Sequence, residues 1–459
     1  MMTETSPRQF YQLLLRLAIP IFFTQLLGSL LGIVDTFMVT SLGDDALAAV
    51  GIGSQFMMVL FMIQFGLMSG FGIFIAQYYG AHEHDNISRT FLVAITSGLA
   101  IAVVFLFLAQ LVPRQIISLF NMSESPNQNV INLGIDYVTI ASFAFLSSTI
   151  AFSISMLARS VQKVIVVSII QAGGIVLNTG LNYVLIHGRW GFPEMGVSGA
   201  ATATMISSAT MALASILYLC FNRSPELRVQ LRHYRTITTA FLRKLFKTVL
   251  PVVINESFWG LAMTMYVIAY GLIGDKEVGS IYLSNQINSL FWVATIAVAN
   301  ATAVMLGKQL GENDLATARS WERRFRKLGL VFGLVLGSIL FALAPVIVPL
   351  FDGISAEVAS TVTVILRVYA IYAPIKFLNA IFVVGTLRAG GDTKYSMYAE
   401  LGVLWIYGVP LAFALAYFTN LPLVWIVVFV NVEEIIKFLI LFHRVRSGRW
   451  INNLTVEPA

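Results

Sequence analysis

Charge is what this sequence has least of. Only 11% of its 459 residues are Asp, Glu, Lys or Arg, against 58% hydrophobic residues and a mean hydropathy of +0.81. A soluble chain of this length would have too little charged surface to cover itself, so the composition excludes soluble enzymes and binding modules and implies an integral membrane protein. A single cysteine, Cys220, excludes an internal disulfide and any multi-cysteine metal site. The apolar runs are continuous rather than alternating, which excludes a membrane β-barrel. No Gly-x-x-x-x-Gly-Lys-Ser/Thr occurs, so the chain carries no ATP motor of that type. His-Glu-x-x-His and Gly-x-Ser-x-Gly are also missing, and with them any nucleophile, base or metal constellation of an intramembrane enzyme. No enzymatic function and no cofactor are expected; transport would draw on an ion gradient or a downhill solute. The start, Met1-Met2-Thr3-Glu4-Thr5, is not basic, and the apolar run after it is too long for a signal peptide, so no cleavable leader is expected.

What is present is about a dozen runs long enough to cross a bilayer. They lie near residues 11–41, 46–79, 91–120, 129–157, 164–187 and 195–221, then 241–273, 278–310, 328–350, 358–387, 395–419 and 422–443. The net charge of +6 does not point to nucleic acid here, because the basic residues are sorted by side. All 29 Lys and Arg fall in breaks on one face except Arg114, Arg189, Lys276, Arg367, Lys376 and Lys437. The positive-inside rule makes that face cytoplasmic, with both termini on it. The most polar break, Asn222 to Ala240, separates six spans from six, giving an N-terminal lobe over 1–222, a linker over 223–240 and a C-terminal lobe over 241–459. The halves resemble each other. A constant shift of 231 pairs Pro20 with Pro251, Gly43-Asp44 with Gly274-Asp275, Gln55 with Gln286 and Gly80 with Gly311, and a shift of 232 pairs Tyr137 with Tyr369. Six spans per copy is an even number, so the copies share one orientation, and duplicated transporters of this kind place their cavity between the halves.

Asp35 is the residue that most needs explaining, a lone carboxylate inside the first span. A charge there costs about 2.5–3.5 kcal/mol on insertion scales and usually faces a bundle interior or a wet cavity. It reads as an ion-binding or proton-carrying group, the alternative being a structurally paired acid or one reaching the interface. The shift places Tyr266 at its position in the second half, so the halves are chemically unequal. Asn178 and Asn182 share one face of the fifth span. They form either a hydrogen-bonded cage for Asp35, completed by Thr204 or Thr202, or interhelical glue. Gly28-x-x-x-Gly32 fits close helix packing, and Pro20 lets the first helix bend. In the second half, Glu433 and Lys437 are spaced to pair along one helix, while Glu256 falls close enough to the basic face for solvation. Met57, Met58, Met62 and Met68 read as gap-fillers or as the wall of an adaptable pocket. Trp190, Trp405, Trp425 and Trp450 read as interfacial anchors, and His82-x-His84 as a solvated loop rather than a metal pair.

Several stretches resemble the multidrug and toxic compound extrusion (MATE) family, in its DinF-like branch. They are Ala18-Ile19-Pro20, Gly32-x-Val34-Asp35-Thr36, Leu42-Gly43, Ala46-Leu47-Ala48-Ala49-Val50-Gly51, Gly196-Val197-x-Gly199-Ala200-Ala201-x-Ala203-Thr204 and Leu387-Arg388-Ala389-x-Gly391-Asp392. The resemblance implies an all-α membrane protein of twelve transmembrane helices, in two six-helix lobes related by pseudo-two-fold symmetry around a V-shaped cavity. It further implies a monomer in the cytoplasmic (inner) membrane, in contact with lipid and with no nucleic-acid partner. Such a protein exports cationic or amphipathic drug-like small molecules against protons or sodium ions. The family's first-helix acid falls on Asp35, a fifth-helix asparagine on Asn178, a sixth-helix threonine on Thr204 and a fourth-helix tyrosine on Tyr137. A second acid that many relatives carry is Asn182 here, and the position of a seventh-helix acid is Trp259, so coupling is expected to rest on Asp35, with H+ favoured over Na+. A lipid-linked precursor flippase of the same superfamily is the alternative, disfavoured because the spans offer little arginine beyond Arg367.

Overall fold

Long apolar runs fold as helices because a helix satisfies its own backbone hydrogen bonds, which lipid cannot do. The computed structural model describes residues 7–120, 127–351 and 355–456; among them there is no strand. The stretch Met1–Thr5, where no leader is expected, lies outside the described residues. The first half folds as α1 (Pro7–Thr40), α2 (Asp44–Gly80), α3 (His84–Leu111), the short α4 (Pro113–Phe120), α5 (Gln128–Ala141), α6 (Ala144–Ser160), α7 (Val164–Ile186) and α8 (Gly196–Phe221). The second half folds as α9 (Thr239–Gly271), α10 (Asp275–Gly311), α11 (Leu315–Ile347), α12 (Ala356–Ala380), α13 (Thr393–Val403), α14 (Val409–Phe418) and α15 (Leu423–Arg446). A π-helical stretch, Ile381–Leu387, extends α12, and another, Leu404–Gly408, joins α13 to α14.

Ten of these spans are long and apolar enough to cross a membrane, and α5 with α6, bent by 48°, makes an eleventh. The twelfth is α15, whose 24 residues suffice in length although Glu433, Glu434 and Lys437 lie in its middle. Two expected spans depart from straight helices. The run 91–120 breaks before Pro113, which cannot donate a backbone hydrogen bond. The run 129–157 bends at Ser142-Phe143, where the Gln110 side chain donates to the Thr139 carbonyl at 2.9 Å and to the Ser142 hydroxyl at 2.8 Å. Gln110 thus satisfies polar groups that a bend exposes away from water.

The chain forms two compact units. The first comprises Phe23–Ile75 and Glu83–Leu245, the second Met1–Phe22, Ala76–His82 and Phe246–Ala459. The start of α1 and the end of α2 therefore pack with the second set of spans, and the polar segment 223–240 packs with the first. That segment is held in place. Leu227 is fully buried, the Gln230 amide donates to the Ser88 hydroxyl at 3.0 Å, and Lys163 pairs with Glu226 at 3.0 Å and bonds Ser224. Partial burial raises the Glu226 carboxyl, but a backbone hydrogen bond, Lys163 and His84 together bring it below its ordinary value.

In the first unit, Phe56 stacks on Phe105 with ring centroids 5.1 Å apart, and Gln64 donates to Thr149 at 2.5 Å. Met68 fills the notch above Gly98, a core gap-filler, whereas Met58 is half exposed. In the second unit, Phe10 of α1 packs edge-on against Phe325 at 4.8 Å and Trp321 at 5.7 Å. Gly329, Gly333 and Gly337 let α11 press on α12: a Cβ on Gly337 would stand 2.5 Å from the Ala370 carbonyl. Trp450 is not an interfacial anchor. It is buried, its indole donating to the Val445 carbonyl at 3.2 Å, because Gly390 lacks the Cβ that would strike the Trp450 backbone.

The end of α2 crosses the end of α10 within the second unit. A Cβ on Gly80 would strike the Lys308 carbonyl, one on Gly311 would strike the Gln77 carbonyl, and one on Gly307 would meet the Ala76 Cβ at 3.0 Å. Under the shift of 231, Lys308 is the counterpart of Gln77 and Gly307 of Ala76. The crossing is therefore reciprocal, with its centre between Ala76 and Gly307. Gly80→Ala and Gly311→Ala are each expected to cost about 1–3 kcal/mol by overpacking. Gly32→Ala, whose Cβ would meet nothing within 4 Å, should leave thermal unfolding in detergent unchanged.

Candidate functional site

In the first unit the candidate side chains stand on α1, α2, α5, α7 and α8. Asp35 is half-buried and its Oδ1, fully enclosed, has no hydrogen-bond partner. Tyr137 of α5, itself buried, bonds Ser54 of α2 and lies within electrostatic reach of Asp35. Gly53 makes room for that phenol, since a Cβ there would stand 2.6 Å from the ring.

Asn178 and Asn182 do share a face, and the Asn182 amide donates to the Asn178 carbonyl oxygen at 3.4 Å. Asn178 then donates to Ser207 at 3.3 Å and Thr204 at 3.5 Å on α8. The two amides of α7 thus bond each other and the hydroxyls of α8, neither bonded to Asp35, while Asn182 Oδ1 is buried without a partner. The Thr202 hydroxyl turns back to the Ser198 carbonyl at 2.8 Å and takes no part in the row. Gly28 makes ordinary contact with Ile175 at 3.5 Å, and Gly32 faces open space, so these glycines do not bring a helix close. Pro20 lies inside a continuous α1.

The second unit holds a denser polar network. Glu256, expected to be solvated, is instead buried and paired with Arg388, because Arg388 at the end of the π-helical stretch enters the bundle. Asn255 donates to Glu400 at 2.7 Å. On α15, Lys437 lies 3.4 Å from Glu433 and 2.9 Å from Glu434, and Asn379 of α12 donates to the Glu434 carboxylate at 2.8 Å. Tyr266, which takes the place of Asp35 in the repeat, donates its hydroxyl to Glu433. A Cβ on Gly408 would fall between that hydroxyl and the carboxylate. Lys376 lies over the Tyr369 ring at 5.1 Å and within electrostatic reach of Glu434 and Glu433. The spacing of Glu433 and Lys437 foretells one pair, but Glu434, Asn379, Tyr266 and Gly408 join only through the fold.

Apart from the Glu256–Arg388 pair, Glu400, Glu433 and Glu434 face two ammonium groups, Lys376 and Lys437. The acids of this cluster outnumber its ammonium groups by one. The first unit carries one acid with an unbonded oxygen and, on α7 and α8, a row of amides and hydroxyls.

A family model described as MatE matches residues 20–184 and 249–414. The chain is 26% identical over 423 residues to the multidrug resistance protein NorM of Burkholderia vietnamiensis, covering 88% of this chain and 87% of that one. It is 24% identical over 438 residues to the uncharacterized transporter YisQ of Bacillus subtilis, covering 94% and 93%. Among solved structures it is similar to a mutant of the Vibrio cholerae MATE transporter VcmN, with a TM-score of 0.86 at 17% identity, covering 97% of this chain and 99% of that chain.

Removing Lys437 while keeping both of its acids tests the second-unit network. Lys437→Met is expected to cost about 3–5 kcal/mol, the usual penalty for breaking a buried pair. Adding Glu434→Gln to Lys437→Met should restore much of the loss, as read by thermal unfolding of the purified protein.

Proposed function

The chain belongs to the MatE family, and from that premise we propose that it exports cationic or amphipathic drug-like compounds against an inward flow of protons, with Asp35 as the coupling group. The observation that carries this reading is the Asp35 carboxylate, within a membrane span, with a buried oxygen that nothing bonds. A charged carboxylate so placed is costly and a proton removes the cost, so the group responds strongly to protonation. Pro20 cannot donate to the backbone of the preceding turn, which makes α1 easy to bend between its start and Asp35. Protonation then biases α1 between straight and bent shapes, a local charge change acting on a two-state element. The amides and hydroxyls of Asn182, Asn178, Thr204 and Ser207 give the substrate pocket polar contacts in the same unit. A lone acid supplies few oxygens for a sodium ion, which favours the proton.

A flippase for lipid-linked precursors would need arginines clustered for a pyrophosphate. Arg367 instead lies over the Phe341 ring at 5.1 Å, and Arg388 is taken by Glu256, which supports the efflux reading. The protein acts as a monomer in the cytoplasmic membrane with its basic face inward. An impermeant maleimide should reach Arg235→Cys, in a Cys220→Ser background, from the inside only.

Asp35→Asn is expected to reduce drug efflux from cells to the level of an empty vector while leaving membrane insertion and thermal unfolding unchanged. Wild-type efflux by this variant would move the coupling proton to the surplus carboxylate of the second unit, where Glu433→Gln would then be the deleterious change. In vesicles, a pH gradient alone should drive transport, and a sodium gradient at clamped pH should not.

A further inference from the structure

The exposed face of α5 differs in kind from the other exposed helix faces of the first unit. α3 turns Val104, Phe107 and Leu111 outward, and α7 turns Ile165, Ile169 and Val176 outward, apolar side chains suited to lipid. The exposed side chains of α5 are Gln128, Asn129, Asn132 and Asp136, with Thr139 half-buried. Gln128, Asn132 and Asp136 are four residues apart and share one face. Amides and a carboxylate would each be costly in lipid without a partner, so this face looks into water. Asn129 donates to Asp45 at 2.6 Å, Arg114 donates to Gln128 Oε1 at 3.1 Å, and Gln128 donates to Asn132 Oδ1 at 3.0 Å. Asp136, one turn further on, has no ion pair and no side-chain hydrogen bond among the described residues. Arg114 meets the row at Gln128, about 12 Å along the axis from Asp136.

Seven residues after Asp136 stands Phe143, at the bend between α5 and α6. Ser142 and Phe143 keep right-handed helical angles, so the helical period carries through and puts Phe143 on the side of Asp136. Phe143 is 54% exposed although Ser142 and Ala144 on either side are buried, and Gln110 fixes the bend that presents it. We infer that Asp136 and Phe143 form a binding site for an amphipathic organic cation, the carboxylate taking the cationic centre and the phenyl ring the apolar part, about 10 Å away. An inorganic cation would use the acid and leave the ring in water. A neutral apolar solute would use the ring and leave the carboxylate without a counter-charge. Both groups stand on one rigid, bent span, so little ordering of the chain is needed on binding. The site deepens the export reading proposed above and rests on it for the class of substrate, giving that substrate a contact distinct from Asp35.

Calorimetric titration of the purified full-length protein with (6-phenylhexyl)trimethylammonium, in detergent and without any ion gradient, tests the site. A quaternary ammonium keeps its charge at every pH. Asp136→Asn should weaken binding roughly fivefold, the upper end of what an exposed ion pair contributes, and Asp136→Glu should retain most of the affinity. Phe143→Ala should weaken binding by roughly the same factor, through loss of the aromatic contact. The uncharged 6-phenylhexan-1-ol should bind the wild type more weakly than the ammonium does and should be indifferent to Asp136→Asn. Since Asp136 is exposed and unbonded, its variants should unfold thermally as the wild type does. Absence of binding by the wild type, wild-type affinity for the ammonium in Asp136→Asn or in Phe143→Ala, or an equal loss for the alcohol in Asp136→Asn would each overturn the site. The Asp35→Asn efflux assay reads coupling and this titration reads equilibrium binding, so the two proposals fail separately.

Discussion

A charge inside a membrane has no water to answer it, and the second unit is organised by that constraint. Lys437 lies between Glu433 and Glu434, and each acid has a further partner, Tyr266 for the first and Asn379 for the second. These contacts account for features that otherwise look like defects. A helix with three central charges is tolerated as a span because its charges face the bundle. The chain between α13 and α14 leaves regular α-helical geometry at Leu404–Gly408 and places a glycine where any Cβ would displace the Tyr266–Glu433 contact. Breaking one of these contacts leaves a charge unpaired, which costs more than the contact itself contributes.

The duplication shows what such a network can replace. Tyr137 bonds Ser54 in the first half, and its counterpart Tyr369 bonds Asn285, which the shift of 231 pairs with Ser54, at 3.1 Å. The scaffold contact is therefore kept in both copies, as is the glycine pair Gly80 and Gly311. At the Asp35 position the copies diverge. The first keeps an acid there; the second has Tyr266 instead, and that tyrosine meets Glu433 on the last helix.

The sequence reveals the spans, the duplication and the unusual acid because each depends on composition or on a fixed spacing. Pairing of Glu433 with Lys437 is legible for the same reason, as two residues one helical turn apart. Contacts between helices are not. Gly28-x-x-x-Gly32 and the glycines at 329, 333 and 337 have the same spacing, yet only the latter press on a neighbour. The pattern allows close packing without saying which face another helix meets. Glu256 reads as solvated from its distance along the chain, whereas its burial depends on Arg388, distant in sequence. The amides of α7 behave similarly: their common face is periodic, but their partners on α8 depend on how two helices lie together.

The two units thus meet the same cost in opposite ways, and the difference bears on the proposed coupling. In the second, Glu433, Glu434 and Lys437 share their bonds with one another and with Tyr266 and Asn379, so a change of charge on one disturbs the others. In the first, Asp35 keeps an oxygen that no donor satisfies, so its charge can change without breaking a network. The helix that carries it suits that role. The start of α1 is fixed by Phe10 against Phe325 and Trp321 within the second unit, and the boundary between units falls just after Pro20, at Phe22. A helix anchored at one end, interrupted near that boundary by a proline that donates no backbone hydrogen bond and bearing an unsatisfied acid beyond it is the arrangement on which the proposed proton coupling rests.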